Sequence, residues 1–199
     1  MILISHRGNL NGKMPQNENH PEYVDEAINA GFDVEIDMWW VDGKTYLGHD
    51  GPQYEVDDVW LSDRADKLWV HCKNVESLNW IRNTSLHYFW HEQDTLTLTS
   101  KNHMWVYPGK QPIIGSIAVM PETHNDDISN CLGVCSDFIK YAEQMIEKNV
   151  RVNNEFYVCP VFNQAVQDNK KIKVYEVQNM WGLGTPEDLN FYLENKIIK

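Results

Sequence analysis

The stretch "FDVEIDMWWVDGKTYLG" (32–48) constrains the fold more than any other part of this chain. It is a run of apolar, β-branched and aromatic residues leading into Asp42-Gly43, a two-residue turn that returns a chain on itself as a hairpin. Successive side chains of a strand point to opposite faces, so Glu35 and Asp37 share one face. Two carboxylates side by side repel each other unless a cation lies between them. The segment therefore carries a folding instruction and a chemical one.

Runs of similar character recur at 2–5, 68–73, 87–91, 95–99, 104–108, 116–120 and 133–139. With 32–40, and with the hairpin return at 44–48 set aside, they make eight strands. Helical spacing lies between some of them. Residues 20–31 place Tyr23, Ala27 and Ala30 at helical intervals and stop at Gly31. Residues 74–83 put Val75, Leu78 and Ile81 on one face behind an Asn74 cap. Strand, helix, strand order predicts an α/β fold with parallel pairing, and eight strands predict a TIM-type (β/α)8 barrel over 1–139. Either some of these strands are fragments, or the barrel is pared down with irregular crossovers. The gaps 91–95 and 99–104 are too short for helical crossovers, and the ordinary fold takes ~200 to 250 residues. Beyond Ile139 the pattern changes, and 140–199 reads as a small α/β appendage, with Thr185 and Pro186 opening its last helix.

Charge narrows the partners. Seventeen basic against 29 acidic side chains leave a net −12, a field that repels nucleic acid and anionic membrane. An anionic small molecule needs a local positive cluster to be held here. No apolar run approaches the ~20 residues of a membrane span, and the start lacks the features of a signal peptide. The expectation is a soluble cytoplasmic protein. Four cysteines without paired CxxC motifs argue against a structural zinc site.

The strand-end polar residues form a consistent set. His6-Arg7-Gly8 closes the first strand, His49 follows the hairpin, and Lys73 ends the run 68–73. In a parallel barrel such ends converge on one mouth. Glu35 and Asp37 suit a hard divalent cation, Mg2+ or Ca2+. Arg7 and Lys73 suit a phosphodiester, and His6 and His49 can divide acid and base work. Gly8 would give an anion room beside the backbone. The bland alternative is a buried ion-pair network of Glu35 and Asp37 with Arg7 and Lys73, without metal.

On "SHRGN", "AINAGFDVEIDMWWVDGKTYLGHD" and "LGVCSDFI", residues 1–139 resemble the glycerophosphodiester phosphodiesterase family of the phosphatidylinositol-phospholipase-C-like barrels. The resemblance implies a metal-dependent phosphodiester hydrolase acting on a small or glycan-linked phosphodiester. It implies acid–base catalysis by His6 and His49, phosphate contacts from Arg7 and Lys73, and a cation on Glu35 and Asp37. The family places a third carboxylate ligand two residues before the lysine. Here that position is His71, which would shift preference toward Mn2+ or Zn2+. The tail 141–199 resembles the C-terminal end of GT-A sugar-nucleotide nucleotidyltransferases without their catalytic half, so a role in homo-oligomer assembly is one expectation for it. A non-catalytic phosphate- or sugar-phosphate-binding module is the alternative from another class.

Secondary candidates complete the set. His91 or Glu92 could add a ligand or polar contact, and Glu122 and Asp137 could meet a substrate hydroxyl. Trp39, Trp105 and Tyr107 could wall a pocket, though strand aromatics more often pack in a core.

Overall fold

A computed structural model describes residues 1–149, and Val166 alone beyond them. In chain order the elements are β1 (Ile2–His6), α1 (Pro21–Asn29), β2 (Asp33–Val41), β3 (Lys44–Leu47) and β4 (Tyr54–Val56). Next come α2 (Asp58–Ser62), β5 (Leu68–Cys72), α3 (Val75–Ile81), β6 (Tyr88–Phe89) and β7 (Leu96–Leu98). The last are β8 (Met104–Val106), β9 (Ile117–Val119), β10 (Gly133–Ser136) and α4 (Ile139–Glu147). Apart from α4, the expected appendage 140–199 and its resemblance lie outside the described residues. Among the described residues, no helix is long and apolar enough to cross a membrane.

The fold is mixed α/β, built on one curled sheet. Strands β6, β5, β2, β1, β10, β9 and β8 are parallel neighbours in that order. All eight expected runs contain a strand, but β7 pairs antiparallel with β8 and closes a hairpin rather than a crossover. The short gap 99–104 has no other solution, since antiparallel partners need only a tight turn. Among the described residues the ladder is not continuous between β6 and β7, so the sheet curls without closing by strand pairing. Its margins still meet: Ser100 donates its backbone N–H to Tyr88, and the rings of Phe89 and Trp105 lie 4.6 Å apart. α-Helices accompany only the first half of the sheet and its end. None lies between β6 and β10 among the described residues.

Local chemistry explains the elements. Asp42 and Gly43 take φ of 50° and 80°, the two positive values of a primed hairpin turn, and β2 doubles back onto β3. The strand β4, which the sequence pattern did not indicate, extends this arm. Asn74 caps α3 through a reciprocal capping box with Ser77. That helix buries Ser77 and Ile81, whereas Val75, expected on the inner face, is exposed because it stands in the first turn facing away from the sheet.

Helices and loops cover the outer face of the sheet. Val34, Ile36, Met38, Val70 and Cys72 pack with Val24 and Ala27 of α1, Leu61 and Ile81. On the other half Val134 and Ala118 pack with Ile139, Tyr141, Ala142 and Met145, which seats α4 on the sheet. The inner face carries a separate cluster of Ile4, Trp69, Phe89, Trp105, Ile117 and Cys135. Cys72, Cys131 and Cys135 are free thiols.

Candidate active site

The inner cluster is the floor of the site. One period-two step further along the same strands the apolar side chains give way to polar ones: Ile4 to His6, Trp69 to His71, Phe89 to His91 and Cys135 to Asp137. These groups gather at the C-terminal ends of the parallel strands, around a cavity of about 600 Å³. His6, Arg7, Glu35, His49, His71 and Lys73 all line it, as do Trp105, Tyr107, Pro108 and Met120.

Asp37 is the hub beneath the cavity, and its side chain is fully buried. Its Oδ2 lies 2.8 Å from Arg7 Nε and 3.3 Å from His49 Nδ1, and accepts from Asn19 Nδ2 at 3.0 Å. Its Oδ1 lies 3.2 Å from His71 Nδ1 and 3.3 Å from Lys73 Nζ. Asn19 also accepts from the Asp37 N–H, so one carboxamide holds both backbone and side chain. Burial alone would raise the Asp37 pKa, but the hydrogen bond from His49 and the charges of Arg7 and Lys73 hold it well below the usual carboxylate range. Glu35 behaves oppositely: burial and the Asp37 charge raise its pKa.

The two sequence-predicted catalytic histidines are held alike. His6 Nδ1 sits 2.7 Å from Asp137 Oδ1, while its Nε2 faces Glu35 at 3.9 Å. His49 Nδ1 sits on Asp37, and its Nε2 lies toward Asp50 at 3.7 Å. A carboxylate on Nδ1 fixes the ring and leaves Nε2 for chemistry. Burial opposes charging His6, but the Asp137 hydrogen bond and the Glu35 charge outweigh it and raise its pKa. Asp137 shifts down: its burial is outweighed by the bond and charge of His6.

A pH signature follows from the His6–Asp137 pair. The raised imidazole pKa means its stabilisation is complete below the unfolded value of about 6.5 and is lost as pH rises through the folded one. The depressed carboxyl means the same bond is lost as pH falls below the unfolded value of about 3.9 and through the folded one. Asp137→Asn should therefore flatten the decline in urea stability between about pH 6 and 9. An unchanged decline would remove this pair as its source.

The donor set fits a divalent cation. Ligand atoms of Glu35, Asp37 and His71 all lie within 4.8 Å of one another, the spread expected around one ion. Glu35 Oε2 and Asp37 Oδ1 are buried without hydrogen-bond partners, the latter with only the Lys73 ammonium at 3.3 Å to balance it, so both have coordination capacity to spare. His71 supports the fit through its tautomer. Its Nε2 lies 3.1 Å from the His91 carbonyl and must donate there, which turns the Nδ1 lone pair of the neutral ring toward both carboxylates.

Other sequence expectations shift. Arg7 is held by Glu18 at 3.1 Å as well as by Asp37, so its guanidinium is braced by two carboxylates rather than free. Gly8 is not making room for an anion: a Cβ there would lie 2.7 Å from the Tyr23 ring, and its φ is +91°. Trp39 donates to the Gly48 carbonyl and braces the hairpin, whereas Trp105 and Tyr107 do line the cavity. Glu92 lines it too. Glu122 lies behind Asp137, accepting from Ser136 Oγ and the Asp137 N–H, and burial raises its pKa. Sequence reasoning missed Asn9, Glu18 and Asn19. Asn9 donates to both Glu18 and Asp137 and ties the first loop to the strand ends. Their only signal was a polar loop that follows a strand.

No family model matches the chain, and no curated protein or solved structure matches it.

Proposed function

We propose that the protein is a metal-dependent phosphodiester hydrolase of the glycerophosphodiester phosphodiesterase type, built on a pared-down relative of the (β/α)8 barrel. One observation carries this reading: two carboxylate-anchored histidines flank a buried, partly unpartnered Glu35–Asp37–His71 donor set in one cavity. A cation bound there, Mg2+, Ca2+, Mn2+ or Zn2+, supplies Lewis-acid polarisation of a phosphoryl oxygen. The remaining work belongs to side chains. Lys73 and Arg7 place positive charge beside the phosphate in a protein whose overall field is repulsive. His6, held by Asp137 in a way that favours its protonated form, delivers a proton to the departing alcohol. His49, half exposed and steadied by Asp37, takes the proton from the attacking hydroxyl, either a neighbouring substrate hydroxyl or water.

The second reading, a non-catalytic phosphate-binding module, has one observation of its own. Arg7 and Lys73 both contact Asp37, so the carboxylates are partly balanced without a cation. The two readings separate in one experiment. Bis(p-nitrophenyl) phosphate should be hydrolysed by the full chain with added Mn2+ or Mg2+, and chelation should abolish turnover reversibly. Phosphate binding without turnover under Mg2+, Ca2+, Mn2+ and Zn2+ would leave the binding module standing and sink the hydrolase.

A further inference from the structure

His91 is left unused by that mechanism, and its position is unusual. It follows β6 on the inner face and lines the cavity, with a side chain only 8% exposed. Neither ring nitrogen has a hydrogen-bond partner. Asp94 Oδ2 stands 3.8 Å from Nδ1, beyond bonding distance, on a largely exposed side chain. Buried polar atoms are rarely left unpaired, because each orphan loses its bonds to water and gains nothing in return. A cavity-lining residue whose buried imidazole has both nitrogens unpaired is therefore a natural partner for a ligand that can pair them.

The surroundings limit what that ligand can be. The Tyr107 ring packs 4.8 Å from the His91 ring at 56°, and Tyr107 is itself 41% exposed. Pro108 and Met120 also line the cavity, and the His71 ring stands 6.2 Å from the His91 ring on the side of the carboxylates. The wall offers an apolar surface beside one donor and one acceptor. A quaternary ammonium would use the aromatic ring and leave both His91 nitrogens unpaired. An unsubstituted alkyl chain would do the same. A sugar ring presents a C–H face to an aromatic wall and hydroxyls that both donate and accept. Whichever nitrogen of His91 carries the proton, adjacent hydroxyls can serve it.

We infer that this wall is a sugar subsite, and that the phosphodiester taken by the site carries a sugar on the side of His91 and Tyr107. His91 is then a specificity-determining residue that pairs with sugar hydroxyls. The inference rests on the phosphate-site reading above.

Calorimetric titration of the Mn2+-loaded full chain tests it with four probes: glucose 1-phosphate, glycerol 3-phosphate, phosphocholine and inorganic phosphate. Glucose 1-phosphate should bind about tenfold more tightly than each of the others, the margin of one to two hydrogen bonds. His91→Phe, which keeps a flat ring, should remove that margin and leave inorganic phosphate binding unchanged. His91→Gln, which keeps a donor and an acceptor, should retain most of it. Equal affinities, tighter phosphocholine, or a margin that survives in both variants would overturn the sugar subsite while phosphate binding stands. If none of the four probes binds, the phosphate-site reading falls and takes this inference with it.

Discussion

Replacing His6 by alanine should slow hydrolysis of an alkyl phosphodiester by about 10²- to 10⁴-fold, the usual worth of a positioned general acid. The same change should cost much less with bis(p-nitrophenyl) phosphate. The reason lies in the leaving group. An alkoxide departs only with a proton, whereas p-nitrophenolate is a weak base that departs without one. His6 is assigned the acid role because Asp137 holds its Nδ1 at 2.7 Å and its pKa is raised. Losing it should matter in proportion to how much the leaving group needs that proton. His49, which contacts Asp37 and stands half exposed across the donor set, is assigned the base role, and His49→Ala should slow both substrates alike. Comparing kcat/KM for the two substrates across the two variants isolates these roles. His6→Gln keeps a polar side chain against Asp137 and guards against mere misfolding. An equal loss on both substrates for His6→Ala would reassign it from acid to positioning residue.

The strands and the set of polar residues were legible in the sequence for one physical reason. A period-two pattern fixes which side chains share a face, so spacing alone groups Glu35 with Asp37 and His71 with Lys73. Convergence of those faces follows from parallel pairing, and the register places His6 opposite Glu35 and Asp37 opposite His71. What stayed hidden depends on contacts distant in sequence. Asp137 meets His6 across 131 positions, and no local pattern distinguishes it from any other strand-end acid. Asn19 is recognisable only from its two bonds to Asp37, since its loop has no periodicity. The antiparallel turn of β7 was masked because "TLTLT" reads as a strand in either direction. Gly8 shows a subtler limit. Its small size was read as room for an anion, but the neighbour that occupies the space is Tyr23, a residue of α1 that sequence distance could not supply.

Asp37→Ala should destabilise the fold by about 3–5 kcal/mol at neutral pH, the typical cost of breaking a buried ion pair from one side. Asp37 is fully buried and touches Arg7, His49, His71, Lys73 and Asn19. Its removal leaves Arg7, only 11% exposed, with Glu18 as its remaining carboxylate, and leaves Lys73 without its partner at 3.3 Å. One relief acts in the other direction. Glu35 loses the neighbouring charge that helps raise its pKa, which favours the lower half of the range. The deficit must also depend on pH in a fixed sense. The depressed carboxyl of Asp37 contributes stability that is present above the unfolded value of about 3.9 and lost as pH falls through the folded value. Wild type and variant should therefore converge in strongly acidic solution and diverge as the unfolded carboxylate range is passed. Urea denaturation followed from about pH 3 to 7 measures that divergence. A constant gap across this range would show that Asp37 stabilises by packing alone. No gap at neutral pH would mean that the cations around it find other partners, and that Asp37 is kept for its open Oδ1 rather than for the fold.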